Sequence, residues 1–123
     1  MSRLLVVDDE EPVRNVLTTF LTRKGYEVEE AGNGPNALAQ LERFKPHLVL
    51  LDIRMPGMDG IEVLKAIKQR APDVVVIMVT ATSDNEVGRR TLELGASDYV
   101  TKPFSFEQLD NQLTVHLTLH SEE

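Results

Sequence analysis

The apolar residues of this chain change their period repeatedly, and that alternation limits the folds open to it. "RLLVV" (residues 3–7), "HLVLL" (47–51) and "VVVIMVT" (74–80) are near-continuous apolar runs of strand length, separated by segments with helical spacing. The first such segment puts Val13, Val16, Leu17, Phe20 and Leu21 on one face, with Pro12 in its first turn and Gly25 past its end. "YEVEE" (26–30) follows as a half-polar alternating strand, and Asn33 is placed to cap a helix bearing Ala37, Leu38, Leu41 and Phe44. Ile61, Leu64, Ile67 and Ala71 mark a third helix, stopped by Pro72. Ser83 with Glu86 makes a capping box for a fourth, which ends at Gly95. "DYVT" (98–101) is a short strand, and Ser105 with Gln108 opens a fifth helix with Phe106, Leu109, Leu113 and Leu117 on one face.

Five strand–helix units with short connections predict an α/β domain with right-handed crossovers. Strands one, three and four read as parallel strands covered on both faces, whereas Glu27 and Glu29 in strand two and the polar text of strand five suit sheet edges. The expected fold is a doubly wound five-stranded parallel sheet of order 2-1-3-4-5, whose winding reverses between strands one and three. Ligands bind such sheets at the carboxyl ends of the strands beside that reversal. At 123 residues, positions 1–123 are expected to form a single domain.

The residues that follow the strands are Asp8 and Asp9, Asp52, Thr80 and Lys102, and a parallel sheet gathers all of them at one edge. Two carboxylates about 5 Å apart repel by roughly 3 kcal/mol at an effective dielectric near 20, more than one ammonium offsets for three of them. A hard divalent cation accepts such oxygen ligands, and Mg²⁺ pairs one or two carboxylates with water and phosphate oxygens. In that setting a carboxylate can attack a phosphoryl group while metal, ammonium and hydroxyl stabilise the transferring oxygens.

The segments "VVDDEEPVR", "LVLLDIRMPGMDG", "VIMVTA" and "GASDYVTKPF", in this order and each after its strand, resemble the receiver domain of two-component response regulators over essentially the whole chain. The resemblance implies the CheY-like, flavodoxin-like receiver fold, with Asp52 as phosphoacceptor. It implies Asp9 as direct ligand of Mg²⁺ or Mn²⁺, Asp8 acting through water, and the backbone carbonyl of Arg54 completing the coordination with Asp52. Lys102 is then the phosphoryl counter-ion, Thr80 the switch hydroxyl, Tyr99 the switch aromatic, and the Lys102–Pro103 bond cis. Arg54 and Thr82 fall where side chains tune attack of water on the acyl phosphate.

The same resemblance implies that the phosphoryl group comes from a sensor histidine kinase or a histidine phosphotransfer protein. It implies output through the face of the fourth helix, fifth strand and fifth helix, to a partner, an attached domain or a second copy. Gly88 inside the fourth helix lowers that helix's intrinsic stability, which suits a movable element. An aspartate-nucleophile phosphohydrolase of the haloacid dehalogenase kind needs an acid two residues past the nucleophile, where Arg54 stands. A pseudo-receiver that only binds a partner would not need every acceptor-site residue. The 13 basic and 20 acidic residues, a net charge of −7, argue against direct binding to nucleic acid or an anionic membrane. The lack of cysteine and of a long apolar run suits the cytoplasm. His47, His116 and His120 have no metal-ligand spacing and read as solvated or strand-end residues.

Overall fold

The computed structural model describes residues 2–119 apart from 56, 58 and 82–84. In chain order its elements are β1 (Arg3–Val7), α1 (Glu11–Arg23), β2 (Glu27–Ala31), α2 (Gly34–Phe44), β3 (Leu48–Asp52), α3 (Gly60–Arg70), β4 (Val75–Ala81), α4 (Asn85–Glu93), β5 (Asp98–Lys102) and α5 (Phe106–Leu119). The strands form one parallel sheet in the order β2-β1-β3-β4-β5, as their apolar content implies.

Because side chains alternate across a strand, each continuous apolar run feeds two cores. Leu5, Val7, Val49, Leu51, Val76 and Met78 face α2 and α3, where they meet Leu38, Leu41, Val63, Leu64 and Ile67. Leu4, Val6, Leu48, Leu50, Ile77 and Val79 face α1 and α5, against Leu17, Leu21, Leu109 and Leu113. β3 is buried along its whole length, a rigid central strand for whatever its last residue does.

Local signals act largely as expected. Asn33 Oδ1 accepts the Asn36 N–H at 2.8 Å, and Ser105 Oγ accepts the Gln108 N–H at 3.0 Å. The Ser83 cap lies outside the described residues. A reciprocal capping box at α3, Asp59 with Glu62, was not anticipated although the D-x-x-E text is present. Val16, expected on the buried face of α1, is 54% exposed, since it stands about 100° around the helix from the buried Leu17–Leu21 line. In α3 the buried line runs through Val63, Leu64 and Ile67, leaving Ile61 half-buried. Phe106 is 41% exposed, yet it stacks on Phe20 with centroids 4.4 Å apart.

His116 corrects the expectation of a solvated side chain. Its Nε2 lies 3.0 Å from Asp98 Oδ2, which also accepts from Gln112 Nε2 at 3.1 Å, while Asp98 Oδ1 accepts the Tyr99 N–H at 2.8 Å. Burial alone would push the Asp98 carboxyl up, but these donors hold it below its ordinary value of 3.8. A depressed carboxyl stabilises the fold above its unfolded pKa and loses that contribution as pH falls through the folded one. Asp98→Asn is therefore expected to lower stability at pH 7, with a deficit that shrinks below pH 3.8, as read by urea titrations across that range.

Candidate functional site

The strand ends set the site. β3, β4 and β5 each run one residue further than their sequence text suggests, so Asp52 and Lys102 are the last residues of their strands and Thr80 lies inside β4. The ladder carries them there: Asp52 pairs with Val79, Thr80 with Thr101, Ala81 with Lys102, and the Ile53 N–H reaches the Val79 carbonyl at 3.0 Å. Each side chain is thus fixed by backbone pairing instead of by a loop.

Asp8 leaves β1 still tied to the sheet, its N–H donating to the Ala31 carbonyl at 3.1 Å. Its Oδ1 accepts the Glu10 N–H at 2.9 Å, and its carbonyl accepts from Arg14 Nη1 at 2.6 Å. Arg14, whose Nε also pairs with Glu30 at 3.1 Å, braces this strand end. Sequence reasoning missed it, because only the fold brings α1 across the ends of β1 and β2.

Asp8 and Asp52 are 3% and 7% exposed, and with the exposed Asp9 they offer oxygens within 4.8 Å of one another. Asp52 Oδ1 accepts the Arg54 N–H at 3.1 Å, leaving Oδ2 to face Lys102 Nζ at 3.4 Å. The same ammonium stands 3.5 Å from Asp8 Oδ2. Burial, more than the neighbouring Asp8, pushes the Asp52 carboxyl up against the opposing pull of the Arg54 N–H and Lys102. Burial would lower Lys102, but Asp52 and Asp8 outweigh it and raise its pKa.

Thr80 is 2% exposed, and among the described residues its Oγ1 has no hydrogen-bond partner. An orphaned buried hydroxyl costs about 1–3 kcal/mol, so its retention suits an acceptor that arrives later. Tyr99, half-buried, packs on the same face as Met78. The Lys102–Pro103 bond is cis, as expected. Arg54 has an exposed side chain. Thr82 lies outside the described residues, so its expected role stands on sequence alone.

Gly60 is a site component that sequence reasoning did not single out. It opens α3, its N–H donates to the Ile53 carbonyl at 2.8 Å, and a Cβ there would collide with the Asp52 carbonyl oxygen and Ile53. Only glycine lets α3 start this close beneath the end of β3. The text "MDG" after the loop was the available signal.

Three carboxylates against one ammonium leave the cluster anionic, with oxygen donors alone. Such a set fits a hard divalent cation that prefers carboxylates, carbonyls and water.

Comparison with known proteins supports the same reading. The model of the response regulator receiver domain matches residues 4–114. The chain is 46% identical over 110 residues to the sensory transduction protein RegX3 of Mycolicibacterium smegmatis, covering 89% of this chain and 47% of that one. It is 45% identical over 103 residues to the alkaline phosphatase synthesis transcriptional regulatory protein PhoP of Bacillus subtilis, covering 84% and 43%. The chain thus spans about half the length of these curated relatives. Among solved structures, the chemotaxis protein CheY4 of Vibrio cholerae superposes with a TM-score of 0.87 at 31% identity, covering 93% of this chain and 97% of that one. NtrX of Brucella abortus gives 0.94 at 31%, covering 98% and 27%. With the family match spanning nearly all of the sheet, and the acidic cluster, lysine and buried threonine at its carboxyl edge, the chain belongs to the family of two-component response regulator receiver domains.

Proposed function

We propose that this domain accepts a phosphoryl group on Asp52 from a phosphohistidine of a sensor histidine kinase or a histidine phosphotransfer protein. The observation that carries the reading is the buried Asp52 carboxylate, held at the end of a rigid strand with one oxygen on the Arg54 N–H and the other 3.4 Å from Lys102. An Asp52 oxygen attacks phosphorus, the P–O bond forms as the P–N bond breaks, and the electron pair returns to the imidazole nitrogen of the donor. Lys102 neutralises charge on the transferring oxygens, and Thr80 Oγ1, without a partner among the described residues, donates to one of them. Mg²⁺, or Mn²⁺ in its place, held by Asp9, Asp52, the Arg54 carbonyl and, through water, Asp8, would supply further charge neutralisation at those oxygens.

The product is an acyl phosphate on the protein's own residue, so the domain acts as a switch and turns over no external substrate. Arg54, and Thr82 by sequence, tune its lifetime. Thr80 and Tyr99 transmit the change to the face of α4, β5 and α5, where Leu92 and Val115 are 40% and 54% exposed. That face meets an output domain, a target protein or a second copy. Residues 1–123 act as one domain in the cytoplasm, with no direct contact to nucleic acid or membrane. Among the described residues no helix is long and apolar enough to cross a membrane.

The test is intact mass after incubation with Mg²⁺ and acetyl phosphate. A phosphoryl adduct is expected on the native chain and none on Asp52→Asn; no adduct, or an equal one on the variant, would refute the proposal. A stability measurement adds a second, independent check. Asp52 is raised by burial, and a carboxyl with a raised folded pKa weakens the fold at pH 7 and recovers stability as pH falls toward its unfolded value. With Lys102 keeping Asp8 as its ion-pair partner, Asp52→Asn is therefore expected to raise stability at pH 7 in EDTA. Mg²⁺ at roughly 100 times its dissociation constant is expected to add about 2.7 kcal/mol to the native chain and much less to the variant. Thermal melts with and without the ion read both effects.

A further inference from the structure

Helix α4 carries a glycine in its interior, Gly88, and it is buried. Glycine is among the poorest helix formers, so a buried one in mid-helix asks for a packing reason. The space a Cβ would take at Gly88 is already filled by the ring of Tyr99, whose Cδ2, Cε2 and Cγ lie 2.6, 2.7 and 3.0 Å from it. All three are ring atoms on the near side, so the ring as a whole lies against the helix backbone.

Neither side of this contact can give way easily. The Tyr99 backbone is held at both ends, its N–H on Asp98 Oδ1 at 2.8 Å and its carbonyl on Gln112 Nε2 at 3.3 Å. On the helix side, the Gly88 carbonyl accepts from the fully buried Thr91 Oγ1 at 2.5 Å. With both backbones anchored, a side chain at position 88 has to be accommodated by rotation of the ring.

We propose that Gly88 is the positioning residue for the Tyr99 ring: its missing side chain forms the slot between α4 and β5 in which the ring rests, and a Cβ there moves the ring out. The packing claim stands alone; its consequence for signalling rests on the proposed roles of Asp52 and Tyr99.

The experiment uses a Tyr26→Phe background, which leaves Tyr99 as the one tyrosine. Overpacking of this kind shifts a two-state equilibrium by about tenfold, so Gly88→Ala is expected to raise the nitration rate of Tyr99 by tetranitromethane by about that factor. The acetyl phosphate adduct still forms on Asp52, but the change in Tyr99 nitration that phosphorylation produces in the background protein is lost in Gly88→Ala. An unchanged nitration rate would overturn the proposal.

Should Gly88→Ala fold poorly, a double-mutant cycle with Tyr99→Ala decides the matter. Removing the ring is expected to turn the alanine from a substitution that lowers Tm into one that raises it, by restoring helix propensity without the overlap. An equal loss in Tm with and without the ring would overturn the proposal. Nitration and the cycle need no phosphoryl group, so failure of the adduct on Asp52 would remove the acceptor reading and leave this one to its own measurements.

Discussion

Lys102→Met is expected to slow phosphorylation of Asp52 by about 10²–10³-fold, the usual effect of removing one group aimed at transition-state charge. The methionine keeps most of the aliphatic stem and deletes the ammonium that stands 3.4 Å from Asp52 and 3.5 Å from Asp8. Those two carboxylates are almost fully buried and, among the described cations, have Lys102 as their ion-pair partner. Breaking a buried pair from one side costs about 3–5 kcal/mol, but Lys102 is itself a third exposed, and solvent screening reduces this to about 1–2 kcal/mol. Mg²⁺ is expected to restore much of the stability, since the oxygen cluster is intact, while leaving phosphorylation slow. Rates of adduct formation by intact mass, alongside melts in EDTA and Mg²⁺, separate the two effects. Phosphorylation at the native rate would mean that Lys102 only balances charge in the resting fold.

Gly60→Ala is expected to have the largest effect on stability, a loss of about 3 kcal/mol and a Tm lower by about 10 °C. The added Cβ meets backbone on the other side, the Asp52 carbonyl and Ile53, instead of a side chain that can swing away. β3 is paired with β1 on one side and β4 on the other, so it cannot retreat. The strain is expected to be relieved by displacing the start of α3, which breaks the bond from the Gly60 N–H to the Ile53 carbonyl and disturbs the acceptor beside it. A melt within a degree of the native chain would show that α3 starts further from β3. Gly57→Ala is a useful contrast, because among the described residues nothing lies within 4 Å of a Cβ at Gly57 and the cost expected there comes from its positive φ.

The strand order and the gathering of Asp8, Asp9, Asp52, Thr80 and Lys102 were legible because both follow from local information. A run such as "LVLL" is apolar at successive positions only if both faces of its strand are covered, and a parallel sheet then delivers every strand's last residues to the same edge. The cap at Asn33 was readable for the same reason, since its partner lies three residues away.

What only the tertiary structure decided are contacts between atoms far apart in sequence. Lys102 reaching two carboxylates at once, Arg14 bracing the end of β1, His116 pairing with Asp98, and the glycines pressed against Asp52 and Tyr99 depend on how closely neighbouring elements approach. Periodicity records which side of an element is buried and says nothing of the distance to what covers it. Close packing sets that distance to within a methyl group, and at Gly60 and Gly88 it leaves room for none.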